Sequence, residues 1–440
     1  MLRIFDPQLG SAIIGPMPAL AFVANKSNLN SIAALTGALE ADGRTQELEL
    51  HFPWQDGRLL RRLGTLSENT SRLLVALSFA TADLPEAVAL LPGLRALVPV
   101  PFIIAGGPHA SARPGEVLRS GADAVVVGEG EETLPNLVTR VLAGKPVEGM
   151  PGVAVLAADG SLLQGPRPRP VDLDAYPPLG VAHRRFGPIE ITRGCPSACA
   201  FCQTSFLFGG RMRHRSVERV VDWVRRAMAG GYSYVRFVTP NAFAYQSEDN
   251  GRTPNLDAIE RLLGSMAGLV GRERVYFGTF PSEVGPETVT AEAVALVRRY
   301  CGNDNIIFGA QTGSDRLLRK LRRNHTVADV YQAAEVVRAA GLTPVVDMIF
   351  GLPGEAAEDV SATLRLMEHL VEMGAVLHTH TFMPLPGTPL EDAPPGEVDP
   401  ALHPLLDRLA SEGHQVGQWR KQEEIARLTT VDGQASASQT

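Results

Sequence analysis

The stretch ITRGCPSACAFCQTS, residues Ile191 to Ser205, packs Cys195, Cys199 and Cys202 into eight residues and holds three of the chain's four cysteines. Three cysteines in one CxxxCxxC loop do not make a disulfide set, and four in 440 residues do not make a secreted disulfide framework. A structural zinc ion takes four protein ligands. No fourth ligand lies nearby: His214 is twelve residues beyond Cys202, and Cys301 is more distant. A [4Fe–4S] cluster takes one ligand per iron. Three thiolates would leave one iron open to a small molecule bound through an amino nitrogen and a carboxylate oxygen. On spacing alone, an incomplete zinc site and a set of reactive thiols compete with this reading.

The cysteine loop follows a strand expected at Pro188 to Thr192. Five more strands are expected downstream, at Tyr234 to Val238, Arg274 to Phe280, Asn305 to Ala310, Pro344 to Phe350 and Val376 to Phe382, with helical runs between them. In SVERVVDWVRRAMAGG, Val217, Val220, Val221, Val224 and Met228 share a helix face that reads as plain core, ended by Gly230 and Gly231. Six strand–helix units over 187–390 suggest an open or partial barrel, of the partial (β/α)6 TIM type, rather than a flat sheet, a choice that spacing alone does not decide.

Upstream, the apolar runs PALAFVAN, TQELEL, RLLVALSFAT, PFIIAGG and ADAVVVGEG alternate with helical segments. They predict a Rossmann-like parallel sheet over 1–150, covered on both faces. The fold class is therefore α/β throughout. In such sheets ligands bind beyond the carboxyl ends of the strands. Ser78, Gly106, Gly107, Pro108, His109, Gly128, Glu129, Gly130 and Glu131 fall at those ends and should share one rim. Proline-rich residues 151–186 read as a linker, and 391–440 as a C-terminal extension with a disordered tail after Thr429.

A net charge of −7 argues against a basic nucleic-acid surface. No apolar run reaches the ~18 residues of a membrane span, and no leader pattern opens the chain, so a cytoplasmic protein is expected. No Gly-x-Gly-x-x-Gly follows the first strand, so a nicotinamide or flavin dinucleotide is not expected.

The cysteine loop resembles that of the radical S-adenosylmethionine (radical SAM) superfamily, with Arg193 and Gly194 before the first cysteine and Phe201 before the last. IIFGAQTGSDRLLRKLRRNHT (Ile306 to Thr326), VVDMIFGLPGE (Val345 to Glu355) and FMPLPGTPL (Phe382 to Leu390) resemble segments of its methylthiotransferase-like and cobalamin-linked branches. The resemblance implies that Cys195, Cys199 and Cys202 hold a [4Fe–4S] cluster. It also implies that Phe201, Gln311, Ser314, Arg323, Gly351 and Pro353 surround S-adenosylmethionine. Many relatives carry a Gly-Gly-Glu-type segment after the second barrel strand; this chain has FVTPNAFAY, which leaves Thr239 and Asn241 as polar replacements.

The segments SFATADLP and AGGPHASARPGEVLRSGADAVVVGEGEET are similar to the cobalamin-binding domain that precedes the barrel in one branch. That similarity implies a corrinoid beside Ser78, Thr81, Gly106, Gly107, His109, Gly128, Glu129 and Gly130. The Asp-x-His-x-x-Gly motif of other cobalamin domains is absent, and ANKSNLNS stands after the first strand.

The activity implied is methylation of an unactivated carbon of a small or medium-sized substrate, with a ferredoxin or flavodoxin-type electron donor. Oxidative cyclisation or rearrangement in the same branch is the alternative, and a non-catalytic corrinoid and iron–sulfur binding protein is a third reading. A tRNA methylthiotransferase is disfavoured, because that family's usual N-terminal domain carries three further cysteines and none precedes Cys195 here. His378 and His380, two apart on the last expected barrel strand, share a face. They are possible catalytic groups if that face is the barrel interior, and packing residues if it is the helix side. Cys301 reads as structural.

Overall fold

A computed structural model describes residues 16–437. The first sheet comprises β1 (Ala19–Phe22), β2 (Glu49–His51), β3 (Leu73–Ser78), β4 (Phe102–Gly106), β5 (Ala124–Val126), β6 (Val153–Leu156) and β7 (Leu162–Gln164), in the order β2-β1-β3-β4-β5-β6-β7. The first five strands are parallel, whereas β6 and β7 add an antiparallel hairpin at the edge. Helices cover both faces, which explains why the central strands are apolar at successive positions. Ile32, Leu39, Leu134 and Leu137 pack on Leu20, Leu74 and Ile104; Leu59, Leu63, Leu91 and Leu94 pack on Ala21, Val75 and Ile103. The hairpin lies inside the stretch expected to be a linker, so only the proline-rich part after Gln164 joins the two halves.

The second half contains β8 (Ile189–Glu190), β9 (Thr192–Arg193), β10 (Arg213–His214), β11 (Val235–Val238), β12 (Val275–Tyr276), β13 (Asn305–Gln311), β14 (Thr343–Phe350), β15 (Val376–Thr381) and β16 (Gln415–Gly417). The orders β12-β11-β8 and β13-β14-β15-β16 are parallel throughout. The bridges Thr239 to Ser282 and Val284 to Phe308 carry the pairing from one group to the other. All six expected barrel strands are present. The seventh, β16, has no apolar run to announce it. Helix Trp419–Ala437 runs into the stretch expected to be disordered, and residues 438–440 lie outside those described. Among the described residues, no helix is long and apolar enough to cross a membrane.

Strand periodicity separates the two faces of the barrel wall. Phe308, Ala310, Val346, Met348, Phe350 and Leu377 join one core with helix residues such as Val330, Val337, Leu366 and Leu370. Gln311, Asp347, His378 and His380 therefore face the opposite side, the barrel interior.

The barrel core depends on aromatic packing. Phe237 is fully buried and meets Phe277 edge-on, with ring centroids 5.6 Å apart. Phe237→Ala should cost about 3–5 kcal/mol through lost transfer energy and the cavity left behind. A denaturant melt followed by near-ultraviolet circular dichroism would check this through a lowered midpoint.

Candidate functional site

The cysteine loop is held at both ends by one short ribbon, in which Arg213 pairs with Arg193 and His214 with Thr192. Gly194 has a φ of +88°, and a Cβ there would lie 2.3 Å from the Arg211 carbonyl oxygen, so the turn requires glycine. The Ser205 hydroxyl donates to the Cys195 carbonyl (2.7 Å) and accepts from the Ala198 amide (3.2 Å). The Ala200 amide bonds the Leu321 carbonyl (2.9 Å), which ties the loop to the segment after β13. The loop is thus fixed from within. Among the described residues, its three sulfurs do not form a group converging on one ion. Three thiolates in such a loop suit a cluster, in which each binds a separate iron.

Arg323 donates from Nη1 toward Cys199 Sγ (3.4 Å) and from Nη2 to the Gly309 carbonyl (2.9 Å). Burial pushes the Cys199 thiol up, and the Arg323 guanidinium opposes that push. Two buried polar atoms nearby have no protein partner: Arg323 Nε and Gln311 Oε1. Gln311 is held at a φ of +69° beside an irregularity in the β13 register, a conformation uncommon for a residue with a side chain. Phe201 packs with Leu317, Leu321, Leu352 and Phe382, next to the Gly351–Gly354 turn.

Other expected contacts are occupied within the protein. The Ser314 hydroxyl caps helix Asp315–Lys320 and donates to Asp359 Oδ1 (2.5 Å). Asn241 Oδ1 caps the turn at Phe243 (3.2 Å), and the Thr239 hydroxyl bonds the Asn241 carbonyl (3.0 Å). Cys301 is buried in the barrel core, where burial pushes its thiol up.

The strand ends of the first sheet form one rim, as expected. A cavity of about 450 Å³ lies there, lined by Ser78, Gly106, Gly107, Gly128, Glu129 and Gly130 and closed from the barrel side by Glu190, Arg193, Leu207, Phe208 and Val238. Gly107 has a φ of +93°, and a Cβ there would lie 2.6 Å from the Phe79 carbonyl oxygen. Gly128, at a φ of +85°, borders open space. Thr81 and His109 do not line the cavity. They bond each other (3.2 Å) beneath the rim, with His109 Nε2 3.5 Å from Glu116.

The seam between the halves is ionic. Arg193, 8% exposed, reaches Glu131 (2.5 Å) and Glu129 (3.2 Å) of the first domain and Glu190 (2.5 Å) of the barrel. Arg213 binds Glu129 and donates to the Val171 carbonyl (2.7 Å), and Arg215 donates to the carbonyls of Leu173 and Tyr176. Glu129, expected beside a corrinoid, lines the cavity while its carboxylate holds Arg193 and Arg213 across the seam. Glu131, Glu190, Arg213 and Arg215 were not anticipated as a group. Their only sequence signal was the repeated Gly-Glu of Gly128–Glu131.

Burial works against the Glu131 charge, but Arg193 outweighs it and holds the carboxyl below its usual range. A depressed carboxylate stabilises the fold fully above its unfolded value and loses that contribution as pH falls through the folded value. Arg193→Met leaves buried carboxylates unpaired and should cost about 3–5 kcal/mol near neutral pH. The deficit should shrink as pH falls toward about 4.5, where the orphaned carboxyls take protons. Thermal melts of both proteins between pH 4.5 and 8 would check the sign.

Known proteins carry the same two parts. The B12 binding domain family matches residues 32–138 and the Radical SAM superfamily matches residues 189–367. An uncharacterized protein of Methanopyrus kandleri is 30% identical over 67% of this chain and 63% of its own length. A tRNA-2-methylthio-N(6)-dimethylallyladenosine synthase of Geobacter sulfurreducens is 32% identical over 49% of this chain and 47% of its own. The chain spans about half to two thirds of the length of these relatives. The radical S-adenosylmethionine methyltransferase TsrM of Kitasatospora setae, solved with cobalamin and a [4Fe–4S] cluster, superposes with a TM-score of 0.64 at 19% identity, over 86% of this chain and 74% of its own. The cobalamin-dependent S-adenosylmethionine radical enzyme OxsB superposes at 0.63 with 15% identity, over 81% of this chain and 52% of its own, a likeness of fold. A B12 binding domain match stands ahead of a Radical SAM match, with the cysteine loop at the seam, so in both parts the chain is similar to cobalamin-dependent radical SAM enzymes.

Proposed function

We propose that the chain is a cobalamin-dependent radical SAM enzyme that methylates an unactivated carbon of a small or medium-sized substrate. The observation that carries this reading is the seam cavity, whose walls come from the glycine rim on one side and from the flank of the cysteine loop on the other. When bound, the cluster and S-adenosylmethionine supply a hydrogen-abstracting 5′-deoxyadenosyl radical, and the corrinoid supplies a methyl group.

Cys195, Cys199 and Cys202 would hold the cluster, with Arg323 offsetting thiolate charge at Cys199. Gln311 and Arg323 offer S-adenosylmethionine the partnerless polar atoms such a ligand needs, while Phe201, Gly351 and Pro353 form an apolar turn beside them. Ser314, Thr239 and Asn241 support that shell through caps and backbone contacts. Ser78, Gly106, Gly107, Gly128 and Gly130 would let a corrinoid approach the sheet, because small residues leave the strand ends bare. His109 and Thr81 brace the rim from below, and Glu129 fixes the seam. A ferredoxin or flavodoxin-type protein would deliver electrons.

Uncharacterized methyltransferase PH0819 of Pyrococcus horikoshii, 28% identical over 61% of this chain and 58% of its own length, supports methyl transfer. Oxidative cyclisation without methyl transfer is the second reading, because the fold is shared with OxsB, a cobalamin-dependent S-adenosylmethionine radical enzyme, as well as with the methyltransferase TsrM.

Anaerobic reconstitution with iron, sulfide and hydroxocobalamin should give about four irons per chain and one corrinoid, with 5′-deoxyadenosine released on reduction. Replacing all three loop cysteines by alanine should remove the iron. Ser78→Trp should lower corrinoid content at least about tenfold and leave the iron, because the indole fills the rim cavity. Iron without corrinoid in the parent protein would sink the methylcobalamin mechanism. Tightly held zinc would overturn the cluster.

A further inference from the structure

Inside the barrel, a group of polar side chains converges that neither cofactor assignment uses. Asp347 and His378 are register partners on β14 and β15, and His380 follows on the same face. His378 Nδ1 lies 2.7 Å from Asp347 Oδ1, and His380 Nε2 lies 3.3 Å from His378 Nδ1. Glu283, from the segment before β13, stands near enough to Asp347 for the two carboxyls to oppose each other's charge. Glu283 is solvent-exposed. Gln422 reaches in from helix Trp419–Ala437.

Three ligand atoms of Asp347, His378 and His380 lie within 4.8 Å of one another, close enough for a metal ion. The hydrogen bonds argue otherwise. Gln422 Oε1 accepts from the Thr381 amide (3.0 Å), so its Nε2 faces His380 Nδ1 (3.1 Å) and must donate. His380 Nδ1 is then the acceptor, and neutral His380 carries its proton on Nε2. A metal-bound histidine needs the reverse: a bare ligating nitrogen and an N–H on the other side that meets an acceptor. His380 thus presents a donor where a ligand is required, and that donor serves the Asp347 carboxylate (Nε2 to Oδ1 3.9 Å) and not the protonated His378 Nδ1.

The same reasoning places the proton of His378. Asp347 is buried, and its carboxylate fixes the proton on His378 Nδ1. His378 Nε2 is left with a lone pair and no hydrogen-bond partner among the described residues, on a ring 28% exposed. A carboxylate that sets the tautomer of an accessible imidazole is the arrangement of a general base.

We propose that His378 is a proton acceptor for the substrate, oriented by Asp347, and that the barrel takes a substrate carrying an N–H or O–H group beside the carbon that reacts. This rests on the radical-enzyme reading. In the step, the N–H or O–H bond breaks and its electron pair stays on the heteroatom. The proton passes to His378 Nε2, and the imidazolium that forms faces the Asp347 carboxylate. No electron changes hands. Gln422 and His380 are positioning residues: they aim a second N–H at the Asp347 carboxylate and keep a metal ion from replacing the proton. The charged and titratable groups facing His378 are Asp347, Glu283 and His380, with Arg323 beyond Glu283.

The test is nitrogen-15 NMR of the histidine-labelled, reconstituted holoenzyme in its oxidised state. Ten histidines give a tractable spectrum, assigned with His378→Gln and His380→Gln. The expected result is a proton on Nδ1 of His378 and on Nε2 of His380. Asp347→Asn should move the His378 proton to Nε2. Gln422→Glu should move the His380 proton to Nδ1 and leave the His378 tautomer unchanged. A His378 proton on Nε2 in the parent, or a tautomer indifferent to Asp347→Asn, overturns the proposal. So does one equivalent of Zn²⁺ binding to both rings of the parent. Iron and corrinoid content, measured on the same sample, separates this failure from failure of the cofactor reading.

Discussion

The buried guanidinium of Arg193 is the constraint on which the arrangement depends. It sits two residues before Cys195 and is held by carboxylates from both halves of the chain. A charge buried this deeply is tolerable only while it is paired. The halves cannot move apart without leaving Glu129 and Glu131 unpaired. The seam is therefore a fixed distance rather than a hinge, and it joins the rim cavity to the cysteine loop. Chemistry that passes between two bound groups depends on orientation more than on strong contacts, and this network supplies the orientation.

The proline-rich connection completes the clamp. Val171 bonds Glu129 through its amide and Arg213 through its carbonyl, and the carbonyls of Leu173 and Tyr176 receive Arg215. Prolines suit this role because they hold an extended path without competing for sheet hydrogen bonds. A segment that reads as a passive linker is thus part of the wall.

Local pattern made much of this legible. The strands of both halves showed as apolar runs, and the glycine pairs marked where they end. The CxxxCxxC loop announced itself by spacing. What escaped was set by partners distant in sequence. Glu129 and Glu131 read as a ligand rim because nothing nearby discloses Arg193 and Arg213, more than sixty residues away. Ser314 and Asn241 read as ligand contacts because a cap and a binding group use the same side chains. Strand β16 has three half-buried or exposed residues and no apolar run, so only pairing with β15 identifies it. The two histidines of β15 could be placed on one face but not assigned to the interior until Leu377 was seen in the core.

That assignment changes the meaning of the C-terminal segment. The Trp419 carbonyl accepts the Thr381 hydroxyl (2.8 Å), and Gln422 spans the Thr381 amide and His380. The last helix is anchored at the end of the strand that carries the interior histidines, on the flank where β16 extends the sheet. A partial barrel leaves one side open, and whatever covers that side shapes the space a substrate can occupy. Here the cover also sets the proton position on His380. The two ends of the chain therefore divide the work. The first domain presents a bare glycine rim to one face of the seam, and the last helix fixes the polar chemistry of the interior. The cysteine loop stands with the rim at the seam, held there by Arg193.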